Sequence, residues 1–273
     1  MIIDIREETY TGLMKIVMME PERQVLVVNR DHTTAEVFER DLRAAKGGVF
    51  DFDGTVHAAS QWIAMRECMT PECREQDAEG ARLYFSQENR KDHDDIDLIF
   101  GSIRRLIKSE LKLDQMLDHV RLDVPRAGAP ELVRSFRGRS MIVSFGIQDY
   151  IEAWLSFFDI PASVAALKLR WRNELLRGFD ARSVVIDGNK GIMYDAFLAE
   201  HQLNSQEVLV MGDALTDIQM MRRESIGVLV VPKFDPQSER QVHRMEHLES
   251  LWDRVSAVLL CDSLEPIVTL RSS

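Results

Sequence analysis

Cysteine is scarce: three residues, Cys68, Cys73 and Cys261, stand in a chain of 273. They are too few and too irregularly spaced for a disulfide framework or a four-ligand zinc site, so reduced thiols and a cytoplasmic setting are expected. Basic residues are also in short supply. Lys plus Arg number 34 against 45 Asp plus Glu, a formal net charge of −11. That balance excludes a nucleic-acid binder working by broad phosphate neutralisation, but leaves room for a local cationic pocket. Long apolar runs are missing too. Val25-Leu26-Val27-Val28 is far below the roughly 18–20 residues a helix needs to cross a membrane, so no membrane span is expected. Met1-Ile2-Ile3-Asp4-Ile5-Arg6-Glu7-Glu8 puts acids where an export signal puts bases, and none is read. With 45% hydrophobic and 29% charged residues, what is left is ordinary globular composition with material for a real core.

The chain changes grammar along its length. Residues 9–19 alternate loosely, Pro21-Glu22-Arg23 offers a turn, and residues 24–28 are apolar, a pattern that predicts a β-hairpin. Thr33 with Glu36 forms a capping-box signature ahead of Ala35, Phe38, Leu42 and Ala45 at helical spacing, and Gly47-Gly48 stops that helix. Residues 1–46 thus read as an N-terminal extension. From 47 onward short apolar runs end abruptly in polar residues: Val49-Phe50 before Asp51, Met141-Ile142-Val143 before Ser144, Val208-Leu209-Val210-Met211 before Gly212-Asp213. Helical patterns lie between them, at 131–136, 150–158 and 192–201. Such alternation predicts an α/β fold with a doubly wound parallel sheet, whose ligands sit beyond the carboxyl ends of the strands. Residues 58–125 break the rule with helical material alone, at 61–69, 71–87 and 95–120. The division is therefore a core of 47–57 and 126–273, with a helical cap of 58–125 inserted after the first core strand.

The polar clusters carry the chemistry. Asp51 and Asp53 flank Phe52 at a strand end, so both carboxylates point one way. Two carboxylates a few ångströms apart repel by about 4 kcal/mol at an effective dielectric near 20, which calls for a cation or a shared proton. A capping aspartate explains one of them, not both. Gly212-Asp213-Ala214-Leu215-Thr216-Asp217 brings two more acids to a second strand end. Oxygen ligands suit a hard cation such as Mg²⁺. Ser144, ahead of Gly146, offers a hydroxyl and a backbone N–H to an anionic oxygen; alone it is an ordinary strand-end serine. Lys190, in Asp187-Gly188-Asn189-Lys190-Gly191 ahead of a helix, offers an ammonium to a phosphate; alone it is an exposed loop lysine.

Taken in order, Asp51-Phe52-Asp53-Gly54-Thr55, Ser144, Lys190 and Gly212-Asp213-Ala214-Leu215-Thr216-Asp217 resemble the haloacid dehalogenase (HAD) superfamily over about residues 48–235. Ser144-Phe145-Gly146-Ile147 and the stretch from Arg177-Gly178-Phe179 to Lys190 are similar to its phosphoserine phosphatase-like branch, and 58–125 looks like that branch's C1-type cap. The resemblance implies a Rossmann-like core and Mg²⁺-dependent hydrolysis of a small phosphorylated metabolite. Asp51 is the implied nucleophile, forming an aspartyl-phosphate, and Asp53 the acid and base. Ser144, Lys190, Gly54 and Thr55 are the implied phosphate-binding residues. The metal falls to Asp51, Asp53 (through its backbone carbonyl) and Asp213, with Asp217 in support. Two alternatives stay open: a phosphomutase or other phosphotransferase of the same fold, and a catalytically silent binding protein.

Other signals are read more plainly. Asp92-His93-Asp94-Asp95-Ile96-Asp97 is expected to be a solvated helix start. Arg104-Arg105 is expected to be a wet helix face. His57 lies near the cap hinge, where substrate contact is the weaker reading. Leu248, Leu251, Trp252, Val255 and Leu259 form an apolar stripe, expected as a helix on the sheet, with a homodimer contact as the lesser option.

Overall fold

The computed structural model describes residues 2–5, 25–28, 34–85, 92–231 and 254–272. Its strands are β1 (Ile2–Ile5), β2 (Val25–Val28), β3 (Gly47–Phe50), β4 (Ser140–Ile147), β5 (Ser163–Leu167), β6 (Leu169–Arg172), β7 (Leu175–Phe179), β8 (Val208–Gly212), β9 (Ile226–Val230) and β10 (Ala257–Leu259). Eight of them form one sheet in the order β1-β2-β10-β9-β8-β3-β4-β5. The six from β10 to β5 are parallel, as the alternating pattern predicts. Their residues divide by parity. Val49, Val143, Val208 and Val210 pack on one face, while Phe50, Ile142, Leu209 and Met211 pack on the other. A sheet covered on both faces has strands that are apolar throughout, which is why these runs do not alternate.

Around the sheet lie α1 (Ala35–Ala44), α6 (Ala129–Arg134), α7 (Gln148–Phe157), α8 (Asp187–His201) and α9 (Glu265–Ser272). Tyr150 and Trp154 of α7 and Tyr194 and Phe197 of α8 are fully or almost fully buried against it. The helix α1 is capped by Thr34, whose Oγ1 accepts the Val37 N–H at 3.3 Å, one residue later than expected; Thr33 lies outside the described residues. The first arm of the expected hairpin, 9–19, also lies outside them. Its second arm is β2, which pairs parallel to β1 and antiparallel to β10, so this part of the N-terminal segment widens the core sheet. Of the apolar stripe, Leu248, Leu251 and Trp252 lie outside the described residues, Val255 precedes β10 and Leu259 ends that strand, so neither is in a helix.

The cap is built from α2 (Gln61–Glu67), α3 (Pro71–Phe85), α4 (Asp92–Lys108) and α5 (Leu113–Leu122). The expected single helix over 95–120 is two. Glu110 adopts φ +53°, Glu110 N–H donates to Ile107 O and Leu111 N–H to Leu106 O, closing α4 with a Schellman turn that carries no glycine to announce it. A hairpin of β6 and β7, with Asn173 and Glu174 both at positive φ in its turn, rises from the core to brace the cap. Leu176 N–H donates to Leu111 O, Leu113 N–H to Glu174 O, and Phe179 meets Phe100 at 4.5 Å. Among the described residues no helix is long and apolar enough to cross a membrane.

Candidate active site

The three central strands put the polar clusters side by side. Phe50 is level with Met211 on β8 and with Ile142 on β4, so the residues just beyond, Asp51, Gly212-Asp213 and Ser144, emerge on one rim. Adjacent strands stand about 4.8 Å apart, close enough for their side chains to share a ligand. The Asp51 N–H donates to Met211 O at 2.9 Å, locking the nucleophile candidate to its neighbour strand.

Here the carboxylates converge. One oxygen each from Asp51, Asp213 and Asp217 lies within 4.8 Å of the others. Lys190 Nζ donates to Asp51 Oδ1 at 2.8 Å and to Asp217 Oδ1 at 2.5 Å, and sits 4.8 Å from the centre of the Phe145 ring. Asp217 Oδ2 accepts the Ala214 N–H at 2.8 Å. Lys190, Asp51 and Asp217 are all buried. Burial, and after it the neighbouring Asp217, push the Asp51 carboxyl well above the usual range, against the pull of Lys190. For Lys190 burial acts downward, but Asp217 and Asp51 together outweigh it and hold the ammonium above its ordinary value. Lys190 thus joins Asp51 and Asp217, and the Asp213 carboxylate completes a group of oxygens on which a divalent cation would fit. The all-oxygen donor set fits Mg²⁺, as does Gly54 at φ +81°, where a Cβ would strike the Asp213 carboxylate.

Lys190 is not in a loop ahead of a helix. It lies in the first turn of α8, which begins at Asp187 and is capped by Asn189 Oδ1 accepting the Ile186 N–H at 2.9 Å. Gly188 and Gly191 lower helix propensity and mask that start in the sequence. Ser144 lies within β4, its Oγ accepting the Gly146 N–H at 3.0 Å. A Cβ on Gly146 would collide with the Gln61 side chain, whose Oε1 accepts the Ile147 N–H at 2.7 Å.

A cavity of about 590 Å³ lies between this rim and the cap, lined by Asp51, Asp53, Ser144 and Lys190 below and by Trp62, Arg66 and others above. Gly54 and Thr55 do not line it. Gly54 makes the turn, and Thr55 is fully buried with its Oγ1 unpartnered among the described residues. Asp95 is not solvated: it is buried, accepts the Tyr84 hydroxyl at 2.6 Å and the Asp187 N–H at 3.3 Å, and so ties cap to core. Nor is Arg105 merely wet, since it joins Arg66 and Ser102 on the buried Asp77. Sequence reasoning missed Gln61, Asp123 and Tyr150, whose contacts run between distant segments. His57, 1% exposed, faces Asp53 and Asp123 rather than the cavity.

No protein-family model and no curated protein matches the chain. Solved structures do. A cytosolic 5'-nucleotidase bound to cytidine is 14% identical, covering 95% of this chain and 96% of its own, with a TM-score of 0.63. A phospho-aspartyl intermediate analogue of phosphoserine phosphatase is 15% identical over 82% of this chain and 98% of its own, TM-score 0.58. A HAD family hydrolase from Salmonella enterica serovar Typhi is 14% identical over 90% and 96%, TM-score 0.57. At these identities the likeness is one of fold: this chain shares the fold of these solved structures.

Proposed function

We propose that the protein is a Mg²⁺-dependent phosphatase that hydrolyses a small phosphomonoester in a cytoplasmic setting. The observation that carries this reading is Asp51, buried at a strand end, held by Lys190 and flanked by Asp213 and Asp217 at the floor of a capped cavity. The shared fold with phosphatases, one of them a phospho-aspartyl intermediate analogue, supports it.

Bound to the Asp51, Asp213 and Asp217 oxygens, Mg²⁺ would neutralise the carboxylates and the phosphoryl charge. Asp51 attacks phosphorus, forming an acyl-phosphate bond as the ester P–O bond breaks. Asp53 gives its proton to the departing alkoxide, and the alcohol leaves neutral. In the second step Asp53 takes a proton from water as that water attacks phosphorus, which breaks the bond to Asp51 and releases phosphate. Lys190 and Ser144 hold the phosphoryl oxygens throughout, where positioning and charge do most of the catalysis.

The test is phosphate release from a panel of alkyl and aryl phosphomonoesters, with Mg²⁺ and with EDTA. Release that EDTA abolishes is the expected result. A phosphomutase would scarcely release phosphate, and a binding protein would release none.

A further inference from the structure

Asp53 is gripped from behind. Its Oδ1 accepts the Gln61 N–H at 2.9 Å and faces His57 Nδ1 at 3.3 Å. Across the imidazole, Nε2 lies 3.3 Å from Asp123 Oδ2, which also accepts the Tyr150 hydroxyl. Trp154 Nε1 donates to the Asp123 carbonyl at 2.9 Å. The His57 ring is stacked on Phe52 at 4.9 Å and meets the Trp154 edge at 5.9 Å. Each nitrogen of this buried imidazole faces an acid, Nδ1 hydrogen-bonded to Asp53 and Nε2 within 3.3 Å of Asp123 Oδ2.

This chain of contacts spans the hinge. His57 leaves the core just before α2, and Asp123 returns from the cap just after α5. His57 pairs with Pro125 along the backbone, and the Arg126 N–H donates to Val56 O at 2.9 Å. Arg126 then clamps the motif turn itself, donating to Gly54 O and Thr55 O, each at 2.7 Å. The χ2 torsion of an aspartate is soft, so an unheld carboxylate sweeps both oxygens through a wide arc. With Oδ1 taken by Gln61 and His57, Oδ2 is the oxygen left for chemistry.

We propose that His57 is a positioning residue for the acid–base step. Braced by Asp123 and Tyr150, it fixes Asp53 Oδ1 to the cap hinge and so presents Oδ2 to the leaving oxygen of the substrate. This rests on the reading of Asp53 as the proton donor given above.

Leaving-group dependence separates this role from a purely structural one. The readout is kcat/KM, which reports steps only through departure of the alcohol. It is measured for p-nitrophenyl phosphate, whose phenolate leaves without a proton, and for the alkyl phosphomonoester turned over best in the panel. In His57→Phe the alkyl ester should lose about 100-fold and the aryl ester less than about 5-fold, since general acid catalysis is worth roughly 10²–10⁴. His57→Asn, which keeps a polar atom toward Asp53, should recover part of the alkyl loss. Tyr150→Phe, which leaves His57 in place, should show the same selectivity on a smaller scale, and it serves if His57→Phe does not fold. An unchanged alkyl-to-aryl ratio in the folded variants overturns the proposal and leaves the phosphatase reading standing. A wild type that releases no phosphate from any ester overturns both.

Discussion

Gly54 and Asp213 are in contact across the rim of the sheet: a Cβ added to Gly54 would fall 2.4 Å from Asp213 Oδ2. Gly54 also holds φ +81°, which side chains disfavour. Gly54→Ala should therefore displace the Asp213 carboxylate rather than merely strain the turn. The expected effect is a rise of about 10–100-fold in the Mg²⁺ concentration giving half-maximal phosphate release, the range found when a ligand loses its support. A Mg²⁺ titration of activity checks it, and an unaltered half-maximal concentration would detach Asp213 from the ion.

Lys190 is the cation that Asp51 and Asp217 share. Lys190→Met leaves the buried Asp217 carboxylate without its cation, and removing one member of a buried pair costs about 3–5 kcal/mol. Urea unfolding in EDTA should show a clear loss of stability, and phosphate release should be all but gone. A variant as stable as wild type would mean that the Lys190 pairs add nothing to the folded state.

Asp51 gives the pH dependence its sign. Its carboxyl is raised by burial and then by Asp217, so the metal-free fold favours the protonated form. That contribution to stability is present below the raised value and is lost as pH climbs through it. A cation binds the ionised form, so its affinity grows over the same interval. The rise in Tm caused by millimolar Mg²⁺ should be larger at pH 8 than at pH 5. Equal shifts at both would remove Asp51 from the ion's ligands.

The parallel sheet was legible because buried parallel strands are short apolar runs with polar ends, and Asp51, Ser144 and Asp213 stand at such ends. The start of α8 was not, since Gly188 and Gly191 disguise the first helical turn that carries Lys190. The break between α4 and α5 hides in a left-handed Glu110, and the bracing hairpin in Asn173 and Glu174. The contacts behind Asp53 were out of reach altogether. His57, Gln61, Asp123 and Tyr150 are up to 97 residues from Asp53, and the hinge and the packing of α7 bring them together. Local pattern reports what a strand end presents to solvent, not what a distant segment lays beneath it.

The central claim is that Asp51 takes the phosphoryl group. During turnover of the best panel substrate, an acid quench followed by borohydride reduction should convert the phosphorylated aspartate to homoserine. Peptide mass spectrometry should then find homoserine at position 51, and Asp51→Asn should show neither the label nor phosphate release. Homoserine at another aspartate, phosphate retained on Ser144, or continued turnover by Asp51→Asn would contradict the account.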